Sequence, residues 1–461
     1  MLFDVTKISM SKQILIKTPE KPLGLLELIA LALGGMIGGG IFSILGVSVE
    51  KIGNATPIAI MIGGILALLS AYPYARLALY YKDEGATYSF YKKTFSNSHF
   101  SASVMGWFIV FGYISTLSLY AFTFASYLSS VLPPSEHNFM TKIIAGAVLL
   151  FFTLVNLASV KGMGKLEDVI VYTKLIILLV ISVLLGERGS LQNIIPVFNG
   201  GFHFANILIV SALTFVAYEG FQLVISATKE TNDPDRSIPR AMYSAISIAT
   251  FLYVILAIGA LLAIPKVDII SGKEYALASG AGKIFGRVGL ITVILGAMLA
   301  TSSAINGTLF GASRLMGVIA DDGYFPKFLT IRIKKYIPKY ALLVMFILAY
   351  ILVLSGSLEV ILKFGSMTFL LTSFLMAYAN FRICDKTKSS APLTLVAMFA
   401  LAAAFGFILF YEFTTDIKGL LFIVGIYLLL AIFALIYART REKKRKLDIL
   451  IEKIKPDNIG N

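Results

Sequence analysis

The sequence predicts an all-α integral membrane protein of twelve transmembrane helices, two of them broken. Three observations carry that prediction. Of 461 residues, 57% are hydrophobic and 14% are charged, against roughly 25% charged in soluble chains. A soluble surface so poor in charge would aggregate, and the mean hydropathy of +0.84 makes the bilayer the natural solvent. The apolar residues also gather into stretches of membrane-crossing length, about 20 residues as helix. Finally, two stretches are interrupted, one by a cluster of glycines and one by a Glu-Gly pair.

The stretches cover about 23–47, 56–81, 103–132, 141–160, 165–186, 204–228, 241–264, 288–316, 340–355, 358–381, 392–411 and 418–438. Each must satisfy its backbone internally in hydrocarbon, so each is read as a helix. The longest connections, 82–102 and 265–287, are too short for a soluble domain. The chain divides into an N-terminal tail 1–22, five spans in 23–187, five more in 203–382, two further spans in 389–438 and a basic tail 439–461. The first 21 residues are polar and basic, and a long Gly-rich stretch follows, which does not read as a cleavable signal.

The net charge is +14. With the N-terminus inside, 29 Lys and Arg fall on the inner side and 9 on the outer, Arg76 and Lys174 lying within spans. Basic residues gather on the cytoplasmic side of membrane proteins. Both termini are therefore placed in the cytoplasm at the cell membrane, and the basic charge needs no nucleic-acid partner. The run Arg439–Lys446 reads as a stop-transfer cluster, the alternative being a contact with anionic lipid. One cysteine, Cys384, and three scattered histidines, His99, His137 and His203, leave no disulfide and no metal-ligand set. No metal, organic cofactor or ATP is expected.

The first span contains Gly34-Gly35-Met36-Ile37-Gly38-Gly39-Gly40-Ile41-Phe42. Glycine costs about 1 kcal/mol relative to Ala in a helix, and a cluster of five argues for an unwound stretch. The sixth span contains Phe215-Val216-Ala217-Tyr218-Glu219-Gly220-Phe221. A mid-membrane glutamate is costly in lipid and normally faces a cavity; Glu219 is read either as a pocket residue or as a protonated structural acid. Breaks in spans one and six are the spacing of two five-helix inverted repeats with a midplane site between them. The helix N-terminus near Gly39–Ile41 suits a carboxylate. Carbonyls near Leu33–Gly35 and Val216–Tyr218 suit an ammonium. Together they describe an α-amino acid.

Lys174 falls in the middle of span five, in Ile170-Val171-Tyr172-Thr173-Lys174-Leu175-Ile176. Burial disfavours the charged form of an amine, so such a lysine is suited to exchanging a proton. The alternative is a structural contact with Glu219 or with helix-end carbonyls. Span eight carries Thr301-Ser302-Ser303 and Asn306, polar groups able to line an ion or proton site, although Ser and Thr often bond back to their own helix.

These residues resemble the amino acid–polyamine–organocation transporter family over nearly the whole chain. The segment Gly34-x-x-Ile37-Gly38-x-Gly40-Ile41-Phe42 is similar to its substrate loop, and Glu84-Gly85-Ala86-Thr87-Tyr88 to the loop after span two. Ala217-Tyr218-x-Gly220-Phe221 is similar to its sixth-span break. The run Glu230-Thr231-Asn232-Asp233-Pro234-Asp235-Arg236-Ser237-Ile238-Pro239-Arg240 carries the most specific likeness. Ser313-Arg314 and Asp322-Gly323-Tyr324-Phe325-Pro326 resemble the end of span eight and its loop. The resemblance implies a LeuT-like fold and amino acid transport by alternating access. Gly164-Lys165-Leu166-Glu167 leading to Lys174 looks like members whose fifth-span lysine replaces a sodium ion. There it would contact the first-span backbone near Gly34 and Ser302 or Ser303, which favours proton coupling. Glu219 departs from members with an apolar residue at that place.

The implied substrate site comprises Gly34, Gly35, Ile37, Gly38, Gly39, Gly40, Val216, Ala217, Tyr218, Glu219 and Gly220. Lys174, Gly34, Ser302 and Ser303 would couple protons, and Glu230, Arg236 and Arg240 would serve the cytoplasmic gate. The expected function is a secondary active amino acid transporter working as a proton symporter; the alternative is an amino acid or polyamine exchanger without net proton use. A membrane solute sensor would need a signalling domain, and none is visible. An enzyme would need a nucleotide loop, a metal set or a nucleophile with its base, and the sequence offers none.

Overall fold

The computed structural model describes residues 23–83, 85–158, 164–198, 204–333, 337–355 and 357–454. The expectations for residues 1–22, for Glu84 and for the last seven residues lie outside them, as do the side chains of Lys165 and Glu167. The order is α1 (Leu25–Met36), α2 (Gly39–Ile52), α3 (Thr56–Tyr81), α4 (Ala86–Thr94), α5 (His99–Ser129), α6 (Pro134–Ala158), α7 (Gly164–Arg188) and α8 (Phe204–Thr214). After α8 come α9 (Pro234–Ala263), α10 (Lys266–Gly272), α11 (Ala276–Asp321), α12 (Lys339–Ser355), α13 (Leu358–Arg382), α14 (Cys384–Thr387), α15 (Ala391–Thr415) and α16 (Ile417–Ile454). A small antiparallel ladder pairs Arg332 with Pro338 and Ile333 with Ile337 between α11 and α12.

Ten helical stretches among the described residues are long and apolar enough to cross a membrane, and Leu25–Met36 and Lys339–Ser355 are shorter apolar helices. All twelve apolar stretches of the sequence are helical, the first and sixth in pieces. Where boundaries differ, local chemistry explains it. α9 begins at Pro234, whose fixed φ and missing N–H suit a first helical turn, so this helix reaches well before residue 241. α11 begins at Ala276 and turns an elbow at Gly286, whose φ of 66° glycine adopts without a Cβ penalty. α16 runs on through the basic segment to Ile454. Ser98 caps α5 by accepting from Ser101 N at 3.2 Å, and Ser357 and Ser390 cap α13 and α15 in the same way.

Packing separates an inner from an outer layer. α5 and α13 are buried along most of their length, whereas α15 and α16 present Phe399 at 73% and Leu421 at 64% exposure. Rings and branched side chains left outside on this scale have no place in water; they face hydrocarbon. Small residues let the inner helices approach closely. A Cβ on Gly259 of α9 would stand 2.5 Å from Ser182 O of α7.

Candidate functional site

Both interruptions read from the sequence are real departures from helix. α1 stops at Met36; Ile37 (φ −85°, ψ 81°) and Gly38 (φ −124°, ψ −143°) leave helical geometry before α2 starts. In the sixth stretch, α8 gives way to tight 3₁₀ turns over Phe215–Tyr218, Glu219 is extended, and Gly220 takes φ 124° before 3₁₀ turns resume over Phe221–Glu230. A side chain at Gly220 would be strained by that φ, and its Cβ would lie 2.5 Å from Gly35 C. The two breaks thus touch backbone to backbone. The start of the first stretch and the end of the sixth are tied as well, by Leu23 N donating to Glu230 O at 2.8 Å.

The freed carbonyls of the first break are occupied from within the protein. Ile37 N donates to Leu33 O at 2.9 Å and Gly38 N to Met36 O at 3.0 Å. Lys174 Nζ, fully buried, donates to Gly34 O at 3.1 Å and Ile37 O at 2.7 Å. Tyr120 OH donates to Gly35 O at 3.1 Å. Tyr253 OH reaches both breaks, lying 3.0 Å from Met36 O and 3.2 Å from Ala217 O, with one proton to share between them. Five consecutive carbonyls, Leu33 to Ile37, therefore have partners. That is the physical answer to unwound backbone at membrane depth, which cannot stay unpaired.

Of the carbonyls that the sequence suggests for an ammonium, those of Leu33, Gly34, Gly35 and Val216 each accept a hydrogen bond from within the protein, each keeping a second lone pair. The carboxylate side differs. Gly38, Gly39 and Gly40 are buried against other helices: a Cβ on them would stand 2.7 Å from Ala304 Cβ, 2.6 Å from Thr123 Oγ1 and 2.9 Å from Ala217 Cα respectively. In this conformation these glycines serve close packing of α2 on its neighbours.

A cavity of about 100 Å³ does open beside the breaks. Gly35, Glu219 and Gly220 line it, together with Tyr113 and Thr116 of α5, Gln222, Thr308 of α11 and Phe369 of α13. It extends to Gly85 and Ala86, the connection after α3. Glu219 is 3% exposed. Gln222 Nε2 donates to its Oε2 at 2.7 Å, while Gln222 Oε1 accepts from Gly220 N at 3.2 Å. Glu219 Oε1 has no hydrogen-bond partner.

The remaining expected residues are placed as follows. Val216, Ala217 and Tyr218 are buried between helices, Tyr218 OH donating to Ile60 O at 2.7 Å. Ser303 is buried and its Oγ makes no hydrogen bond, so the contact with the lysine amine implied for it is not formed; Ser302 is half-buried. Thr301 bonds back to Ala297 O at 2.6 Å. Glu230, Arg236 and Arg240 are exposed around the start of α9, away from the cavity, with Arg236 Nε 3.9 Å from Asp233. Lys363 is buried within α13.

Sequence reasoning missed two groups. The first is the set Tyr113, Tyr120, Tyr253 and Gln222, four among many polar residues in apolar spans. The second is an ion cluster joining α2, α13 and α15. Lys51 Nζ is 2.9 Å from Glu359 Oε1, and Lys363 Nζ is 3.2 Å from Glu359 and 2.8 Å from Glu412, which is fully buried. Asp416 stands 3.8 Å from Lys363.

Comparison with known proteins places the chain. Residues 23–459 match the family described as amino acid permease. The chain is 27% identical over 428 residues to the inner membrane transport protein YbaT of Escherichia coli, covering 92% of this chain and 97% of that one. It is 28% identical over 346 residues to the large neutral amino acids transporter small subunit 2 of Mus musculus, covering 70% and 63%. With a match across almost its entire length and two broken helices meeting at a cavity, the chain belongs to the amino acid permease family.

Proposed function

We propose that this protein is a secondary active amino acid transporter that couples uptake to protons by alternating access. The carrying observation is Lys174: a fully buried amine that donates hydrogen bonds to the Gly34 and Ile37 carbonyls at the first break. A protonated amine clamps the end of α1 to α7, whereas a neutral amine keeps donors but loses the charge that strengthens those bonds. Protonation then biases the break between two arrangements, and a proton gradient drives the cycle. On this reading the twelve apolar stretches all cross the membrane, spans one to five and six to ten form the inverted repeats, and both termini are cytoplasmic. The cavity, reaching Gly85 and Ala86, then faces the cytoplasmic side.

The test is uptake by proteoliposomes under an imposed pH gradient, inside alkaline, with a panel of labelled amino acids. Accumulation that collapses with a protonophore supports symport. Equal uptake with and without the gradient, dependent on amino acid preloaded inside, replaces it with exchange.

A further inference from the structure

The cavity at the breaks has a chemical bias that backbone alone does not give. Among the described residues that line it, Glu219 is the one carboxylic acid, and none is a lysine, arginine or histidine. Glu219 is held, not free to swing: Gln222 clamps Oε2 at 2.7 Å and is itself fixed by Gly220 N and by Tyr113 OH, to which its Nε2 donates at 3.4 Å. Oε1 is left over, buried and without a partner. A buried acceptor with no donor is destabilising, more so when charged, unless something that enters the cavity supplies the donor. Several of the carbonyls that would otherwise receive an ammonium already accept a hydrogen bond, from Lys174 and Tyr120 among others.

We infer that Glu219 is the specificity-determining residue of this carrier, its Oε1 receiving the ammonium group of the substrate inside the cavity while Gln222 holds the carboxylate in place. This deepens the transport reading and rests on it for the word substrate, but amine binding at Glu219 can be measured apart from transport. The remaining walls, Thr116, Thr308 and Phe369 among them, offer hydroxyls and an aromatic face and no second charge. An amine is thus the group the cavity demands; a carboxylate is not.

The experiment uses the purified full-length protein in detergent. Its probes are leucine, the same molecule without its ammonium (4-methylpentanoate) and the same molecule without its carboxylate (3-methylbutylamine), with the shorter set alanine, propionate and ethylamine beside them. Affinity is read by calorimetry. Wild type should bind an amine-bearing member of at least one set and neither deaminated acid. Glu219→Gln should weaken amine binding by about tenfold or more, as expected for losing a charged hydrogen bond, and Glu219→Asp should restore a measurable part. Should Glu219→Gln not fold, Gln222→Leu is read instead and should also weaken the amine. Amine affinity unchanged in these variants, or wild type binding the deaminated acids as well as the amines, overturns the assignment. Uptake of labelled amino acid is scored separately: intact amine binding without any uptake would sink the transport reading and leave Glu219 as an ammonium site.

Discussion

Gly38 has no side chain because there is no room for one: a Cβ there meets Ala304 Cβ and Tyr120 Cε1, both at 2.7 Å. Gly38→Ala should therefore lower stability by about 1–3 kcal/mol, the usual cost of overpacking, and Gly38→Val by more; detergent melting curves check both. An unchanged melting temperature would return Gly38 to a purely substrate-facing role. Lys174→Met keeps volume but removes the donor to Gly34 and Ile37, at about 1–3 kcal/mol for each carbonyl left unpaired. It should abolish proton-driven accumulation while amino acid binding persists; accumulation at the wild-type level would reject Lys174 as the coupling group. Both positions were legible in the sequence for physical reasons. Five glycines in one span and one lysine in mid-membrane are each too costly in a lipid-facing helix to stand there without purpose. The tyrosines that close the carbonyls were not legible, since a tyrosine in an apolar span carries no sign of which backbone it will meet.

At the scale of elements, the break in the sixth stretch was readable from Glu219-Gly220, yet its conformation was not. The chain beyond it runs in 3₁₀ turns up to Glu230 rather than as an α-helix, because Gly220 at φ 124° resets the direction and the end is pinned to Leu23. The run from Glu230 to Arg240 was read as a gate; the structure sets its charged members in the open at the head of α9. Arg236, 75% exposed with a long contact to Asp233, contributes little to stability, as exposed pairs do. Arg236→Ala should leave the melting temperature in place and slow uptake more than it weakens binding. Binding that falls in step with rate would remove it from the gate. Loop-end charges such as these are easy to see and hard to interpret, since exposed charges carry no sign of the partner they meet.

Across the whole molecule, the twelve apolar stretches and their order could be read directly from hydropathy, but the buried ion cluster could not. Lys363 and Glu412 sit 2.8 Å apart and far apart in sequence, each amid apolar neighbours that mask it. Lys363→Met should strand Glu412 without a counter-charge and cost about 3–5 kcal/mol. The pair Lys363→Met with Glu412→Leu should recover most of that loss, because neither charge is then left alone; a double variant no better than the single would mean the cluster acts through Lys51 and Glu359 instead. The contact of Gly35 with Gly220 has a consequence of another kind. Where the two interrupted helices bear on each other, Gly35 and Gly220 meet main chain to main chain, with the Leu223 side chain packed beside them. Glu219, Gln222, Tyr113 and Phe369 line the cavity beside that contact without forming it. On the proposed transport reading, the groups that choose the substrate and the backbone contact that joins the two breaks are then different atoms, and a lineage of such proteins would be free to rewrite its menu while keeping its joint.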